Sequence, residues 1–419
     1  GHAVAAVAAT STHIAEDALD LIEVDYEVLP HVLDVQEAMK GDAPILHKGL
    51  TTMFRTENLV RGDDTGVEGN IAGHVQAVQG DVEEGFKQAD LIVERELTTT
   101  MVHQGYIEPF AATVFWSPDD RLTIWTSTQN AFGMRATVST ILALPESSVK
   151  VVQLEVGGGF GGRGTGYMEP VAAILSKKSA APVKMVMTRK EVFEATGPTS
   201  GTFIRCKIGV DNDGYIKAAQ MFMAYEAGAY PGSPVGNAAF PALGAYKIAH
   251  TQVDGYDVVV NKPKTQSYRA PGQPQANHAV ETVMDEIAEK LGMDPMELRL
   301  KNVIHEGDMS PSGLPHSRFG CEEIMDAMKQ HPHYNGPLDG PNQGRGVAVA
   351  YRTQDGGYGS SATINVNDNG TINLITGSAD LSGTRVALAM QAAENLGIDV
   401  EDVNPSVTDT DSVGFTGGS

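Results

Sequence analysis

The chain has 419 residues, 41% hydrophobic and 20% charged, with 53 acidic against 30 basic side chains and a net charge of −23. That length and composition describe a globular chain with a sizeable core and room for two or three domains. The acidic surplus excludes sequence-independent nucleic-acid binding, which needs a cationic surface, and two distant cysteines, Cys206 and Cys321, exclude a disulfide framework, a zinc site or an in-chain iron–sulfur cluster.

The opening "GHAVAAVAA" reads as a strand, and the close "DSVGFTGGS" as a glycine loop; both read as cut from the middle of domains, so a fragment is expected. No apolar run is long enough to span a membrane and no signal peptide is evident, which points to the cytoplasm. Residues 11–22 set Ile14, Ala18, Leu21 and Ile22 on one helical face behind a Ser11 or Thr12 cap. Residues 22–30 then alternate as a strand ended by Pro30, and a loop rich in Gly, Asp and Asn covers 61–73. Asx-Gly tips in "VDNDGYI" (210–216) and "VNDNGTI" (366–372) mark hairpins. The clearest helix is "ANHAVETVMDEIAEKLG", with Val280, Val283, Met284, Ile287 and Leu291 in one stripe and Gly292 to end it. Asp294, Pro295 and Glu297 open the next helix. A helix around Glu322–Lys329 follows, and "HPHYNGPLDGPNQG" reads as an inter-domain linker.

A weak repeat runs through the chain. "TSTQNAFGMRATVSTILALP" (126–145) and "TGSADLSGTRVALAMQAAENLG" (376–397) share a strand end, a polar loop, G-x-R and an apolar helix. Gly133 and Arg135 correspond to Gly383 and Arg385, 250 residues on. Two related α+β halves facing each other would leave a cleft lined by the glycine loops of both.

The loop "VGGGFGGRGTG" contains G-x-G-x-x-G at Gly157, Gly159 and Gly162, between an alternating strand (149–156) and helix signals. A dinucleotide-binding turn has this form, and Arg189 and Lys190 after the next strand would favour NADP. The motif alone is weak, and its surroundings are rich in strands and hairpins rather than an alternating βαβ series.

Five stretches in order carry more: "HQGYIEPFAA" (103–112), "TSTQN" (126–130), "GGGFGG" (157–162), "SYRAPGQPQ" (267–275) followed by "MDEIAEKLGMDPMELRLKN" (284–302), and "DTDSVGFTGGS" (409–419). Together they resemble the molybdopterin-binding large subunit of the xanthine dehydrogenase and aldehyde oxidase family, the molybdenum hydroxylases. The resemblance implies an α+β fold. Residues 1–60 would end a hammerhead α/β domain, 61–335 would form a first molybdopterin-binding domain, and 336–419 would begin a second, truncated one. It implies a molybdenum–molybdopterin cofactor, the cytosine dinucleotide being one form of it, with the metal held by the pterin dithiolene and no metal ligand from the protein. Gln129 would donate to a molybdenum oxygen, Gly159 and the amides of Phe160 and Gly161 would face the centre, and Arg269, Ser382 and Ser419 would contact the cofactor. A catalytic glutamate is expected beyond Ser419, so no glutamate of this chain takes that role, and Glu108 beside His103 is read as structural. The implied activity is oxidative hydroxylation of an N-heteroaromatic or an aldehyde with water-derived oxygen. Electrons would leave through separate [2Fe–2S] and FAD subunits in a dimer of heterotrimers. A reductase of the hydroxybenzoyl-CoA type is the alternative.

The sequence departs from the family at informative places. Ser382 stands where the second half carries a pterin-binding glutamine, so a water or Arg385 would have to fill in. Ala270 replaces the cysteine of the carbon monoxide dehydrogenase branch, against a copper–molybdenum site. The three positions that grip a purine match Gly164, Asn237 and Pro271, none of which can do so. Arg163, Tyr351 or Tyr358 is expected to line the substrate funnel instead.

Overall fold

The computed structural model describes residues 3–56, 62–309, 315–318, 320–351, 359–407 and 409–418. The chain begins with α1 (Thr12–Leu19), α2 (Val35–Ala38), β1 (Thr51–Thr56), β2 (Asp63–Glu68), β3 (Ile71–Gln79), α3 (Val82–Lys87) and β4 (Leu91–Thr99). Next come β5 (Ala111–Trp116), β6 (Leu122–Thr126), α4 (Ala131–Leu142), β7 (Val149–Gln153), α5 (Glu169–Ser179), β8 (Val183–Val186) and α6 (Arg189–Ala195). They are followed by β9 (Thr202–Val210), β10 (Ile216–Gly228), α7 (Val235–Ala239), β11 (His250–Val259), α8 (Gln273–Leu291), α9 (Pro295–Asn302), α10 (Cys321–Gln330) and α11 (Pro332–Asn335). The last elements are β12 (Ala362–Val366), β13 (Ile372–Thr376), α12 (Thr384–Leu396) and β14 (Val403–Val407).

Three sheets organise these elements. The largest has the order β2-β1-β3-β11-β10-β9-β4. Its core is closed by α8, whose stripe residues Val280, Val283, Met284 and Ile287 are buried against Ile204, Cys206 and Ile208. The stripe is thus the buried face that its spacing promises. Both Asx-Gly tips form hairpins, β9–β10 and β12–β13, and each has the same pair of turn hydrogen bonds about Asp211 and Asn367.

The second and third sheets are copies of one plan. β5 and β6 pair antiparallel, α4 crosses over, a single 3₁₀ turn follows, and β7 returns parallel to β6. β12, β13, α12, a 3₁₀ turn and β14 repeat this connectivity strand for strand. Leu122–Thr126 and Ile372–Thr376 share one burial alternation, so the 250-residue offset read from G-x-R extends to the strands.

Two expectations fail at the start of the chain. Residues 3–9 and 22–30 form no strand, because a strand needs a hydrogen-bonded neighbour and the described residues offer none. Leu21, Val28 and Leu29 are accordingly exposed. Ser11 does cap α1, accepting from the Ile14 amide at 3.3 Å, but the helix buries none of its residues. The expected loop at 61–73 instead supplies β2 and the start of β3, and β2 is exposed along its whole length at the sheet edge.

The stretch 284–302 owes its character to one buried cation. Arg299 is fully buried; its Nε donates to Glu281 Oε2 and its Nη2 to Asp285 Oδ1, both at 2.8 Å. The Glu281 carboxylate also accepts from the Tyr246 hydroxyl at 2.5 Å and the Val349 amide at 2.8 Å. One carboxylate therefore joins α8, α9, the segment before β11 and the chain leading to the second repeat. Glu281→Ala should lower stability by about 3–5 kcal/mol, since it strands a buried guanidinium. Glu289→Ala, exposed on the same helix, should change it by less than about 0.5 kcal/mol. Urea denaturation of the two variants makes the comparison.

Candidate functional site

The site is built around Arg163, whose side chain is wholly buried. Its Nε donates to the Gly158 carbonyl at 2.8 Å, Nη1 to Ser127 Oγ at 2.7 Å, and Nη2 to the carbonyls of Glu108 and Pro109. The guanidinium lies 4.8 Å from the Tyr106 ring centre and 4.5 Å from that of Phe110. Burial pushes its pKa down against the pull of the Glu108 carboxylate, 3.5 Å away. Arg163 is therefore not a substrate contact; it fastens 106–110, Ser127 and the glycine loop together from beneath. Glu108 shares this task, accepting from the Gly157 amide at 2.6 Å. His103 is held by Thr196 at 2.8 Å, and burial followed by the Arg189 charge lowers its pKa.

Gln129 is locked to the same loop. Its side-chain oxygen accepts from the amides of Gly161 at 2.9 Å and Arg163 at 3.2 Å, which fixes which end of the carboxamide is oxygen. The Gly161 amide thus serves Gln129, whereas the Phe160 amide has no hydrogen bond among the described residues. A Cβ on Gly159 would lie 2.3 Å from the Gln129 oxygen, and Gly161 has φ +102 with Ser267 at 2.9 Å. These glycines let two loops and a side chain meet.

Gln129, Gly159, Phe160, Gly161, Arg269 and Ser382 all line one cleft of about 1130 Å³. Gly164 and Pro271 line it too. Asn237 does not; it lies exposed on α7, and Tyr351 packs against Gly244 away from the cleft. Tyr358 and Ser419 lie outside the described residues. The sequence reading missed Asn130, Phe132, Glu146 and Phe415, which also line the cleft. Only Asn130 had a local signal, a capping side chain before an apolar helix, and it does cap α4 through the Gly133 amide at 2.9 Å.

Two features set this cleft apart. Of the six non-glycine residues with positive φ among the described residues, Asp120 sits in a hairpin turn and Ala143 and Ala180 cap helices. The other three, Phe160 (φ 55), Ala270 (φ 56) and Ser382 (φ 58), all line the cleft. Such backbone costs on the order of 1–3 kcal/mol per residue and clusters at functional sites. The N-terminal ends of α4, α8 and α12 also open onto it through Asn130, Ala270–Pro271 and Leu381–Ser382. Helix N-termini favour anions. Arg269 adds a guanidinium with no ion pair among the described residues, its amide held by the Phe160 carbonyl at 2.9 Å. Arg385 does not stand in for the missing glutamine, because Glu155 at 2.5 Å and Asp380 at 3.4 Å engage it.

The NADP reading fails here. The loop does not lead straight into a helix, and the buried Glu169 carboxylate already accepts from the Tyr167 and Met168 amides at the start of α5. β7 and β8 lie at opposite edges of their sheet, where a dinucleotide fold would set them side by side.

Models described as molybdopterin cofactor-binding domains match residues 64–303 and 322–419. The nicotinate dehydrogenase large molybdopterin subunit of Eubacterium barkeri is 32% identical over 334 residues, covering 79% of this chain and 74% of that protein. The xanthine dehydrogenase molybdenum-binding subunit of Escherichia coli O157:H7 is 29% identical, covering all of this chain and 56% of that protein. The chain belongs to the xanthine dehydrogenase and aldehyde oxidase family of molybdenum hydroxylases. The family fold appears in the aldehyde oxidoreductase of Desulfovibrio desulfuricans ATCC 27774 (TM-score 0.84, 24% identity). That match covers 97% of this chain and 45% of the other. It appears again in the quinoline 2-oxidoreductase of Pseudomonas putida 86 (TM-score 0.82, 23% identity, 97% and 53% covered). This chain therefore spans about half the length of most of the molybdenum hydroxylases it matches.

The glycine geometry gives a contrast to measure. Gly161→Ala combines a forbidden φ with a 2.9 Å clash and should destabilise by at least ~1–3 kcal/mol. Gly164→Ala, whose added methyl meets only a carbonyl at 3.6 Å, should be within about 0.5 kcal/mol of the parent. Thermal denaturation of both variants reads the difference.

Proposed function

We propose that the chain is the cofactor-holding part of a molybdenum hydroxylase large subunit that oxidatively hydroxylates an N-heteroaromatic or an aldehyde. The observation that carries this is the convergence of three helix N-termini, the strained loops and the guanidinium of Arg269 on one cleft. Those groups fit a pterin with phosphate. The helix ends and Arg269 suit the anion, and the Phe160 amide offers a polar contact. On this reading the pterin would carry the molybdenum.

When bound, the cofactor supplies the two-electron redox chemistry by which a substrate C–H becomes C–OH with oxygen from water. The chain's own residues do the rest. Arg269 would neutralise the cofactor's phosphate. Gln129, oriented by Gly161 and Arg163, would present its carboxamide to the centre, and the Phe160 amide would add a second donor. Fixed donors of this kind act without reorganisation.

On the same reading, residues 1–60 close a hammerhead domain, 61–335 form the first molybdopterin-binding domain and 336–419 begin the second. The cofactor is taken in its cytosine dinucleotide form. Electrons leave through [2Fe–2S] and FAD subunits of a cytoplasmic dimer of heterotrimers; of this plan, relatives named as subunits support the presence of partner chains. Among the described residues no helix is long and apolar enough to cross a membrane.

In the intact complex, Arg269→Ala should lower molybdenum content and Gln129→Ala should lower turnover, each by ~10–100-fold. Full metal occupancy and full rates in both would refute the assignment. At the two matched positions on the cleft wall, Gly164 and Pro271 offer a purine neither a carboxylate nor a stacking face. A pocket without groups matched to a ligand's polar atoms discriminates against it by roughly 10²-fold. Xanthine and hypoxanthine should therefore give much lower kcat/KM than simple N-heteroaromatics and aromatic aldehydes. Steady-state comparison on one preparation decides it, and a preference for xanthine would overturn the substrate reading.

A further inference from the structure

We infer that Arg121, Arg135 and Lys150 are positioning residues: they bind the acidic loop 409–411 of the second repeat and thereby place Phe415–Gly418 on the cofactor. The inference rests on the reading that the cleft holds the cofactor.

The hydrophobic cores of the two repeats are separate clusters among the described residues. One lies within 106–192 and the other within 372–403. The seam between them is polar. Three cations from three elements, the β5–β6 turn, α4 and β7, meet two aspartates there. Arg121 Nη2 lies 3.2 Å from Asp411 Oδ2, and Arg135 Nη1 lies 3.6 Å from Asp411 Oδ1 while donating to the Thr410 carbonyl at 3.1 Å. Lys150 Nζ lies 3.1 Å from Asp409 Oδ2. The Thr410 amide donates to the Val151 carbonyl at 3.0 Å, and its hydroxyl accepts from the Val151 amide at 3.1 Å, so the loop extends the edge of β7. In a chain with a charge of −23, an acidic loop comes to this edge only where cations gather.

The contact is reciprocal. Arg385, the counterpart of Arg135, crosses the seam the other way to Glu155 at 2.5 Å. Each repeat lends the arginine of its G-x-R to the acidic turn of the other. Just past the anchored loop, the Phe415 ring packs edge-to-face on Phe132 at 5.4 Å, and Gly418 lies against Asn130. All four residues line the cleft. With no shared core to hold this wall, the ion pairs, together with the Thr410 hydrogen bonds to β7 and the Phe132–Phe415 contact, set its distance from the first repeat. The Arg121 and Lys150 side chains are 53% and 33% exposed. Salt reaches them: the screening length falls from about 10 Å at 0.1 M to about 3 Å at 1 M.

The test is retention of the cofactor, measured as molybdenum and pterin remaining on the intact complex during gel filtration at low salt and at about 1 M sodium chloride. Parent protein should lose cofactor several-fold faster at high salt. Lys150→Met and Lys150→Glu should lose it at the fast rate already at low salt, and Lys150→Arg should behave as the parent. Release from the parent that is independent of salt, or equal release from Lys150→Arg and Lys150→Glu, overturns the inference. The salt series on the parent needs no variant to fold. A parent complex without molybdenum or pterin under any condition fails the proposed function itself, which is a separate outcome.

Discussion

Taking a guanidinium wholly out of water costs several kcal/mol unless its donors are all met, and removing one partner of such a group is strongly destabilising. Arg163 meets that condition with the carbonyls of three backbone segments, a serine hydroxyl and two aromatic faces. Its own backbone is tied as well: the carbonyl accepts from the Gln129 amide and the Thr128 hydroxyl, and the amide donates to the Gln129 side chain. The cleft-lining loops at 127–130 and 157–163 are therefore tied to one another through Arg163. The glycines are the consequence. With the cation fixed beneath, the loop above must run so close to Gln129 and Ser267 that a Cβ has no room.

The second dependency is the duplication. A β-β-α-β unit buries one side of a small sheet under its helix and leaves a loop at the strand ends. Two such units meeting at those loops enclose a volume that neither makes alone. Helix N-termini fall naturally at strand-to-helix turns, so duplication brings the positive ends of α4 and α12 to one place, and α8 from the intervening sheet adds a third. An acidic protein thus presents an anion-favouring interior.

Much of this was legible in the sequence where the signal was local. The stripe on α8, the Asx-Gly hairpins and the repeat were read from spacing, because helix burial and tight turns impose spacing. The cleft's contents were read from ordered motifs rather than from periodicity. What was not legible depended on partners distant in sequence. Alternation at 22–30 reads as a strand only if a neighbour exists to pair with it. Arg163, a cation inside a glycine loop, looks like a surface ligand until the aromatic floor of 106–110 is placed under it. Arg385 looked like a substitute for a missing glutamine until Glu155, from the other repeat, was found to hold it.

The left-handed residues Phe160, Ala270 and Ser382 belong to loops far apart in the chain, yet they line one cleft. Each holds a backbone geometry that a free loop would leave, so the cleft keeps its shape through the packing behind it. A cavity shaped in advance asks little ordering of itself when a guest arrives, and the entropy usually lost in closing loops around a ligand is spent during folding instead. Folding of the scaffold, more than the arrival of the guest, is then where most of the selectivity for that guest's outline is decided.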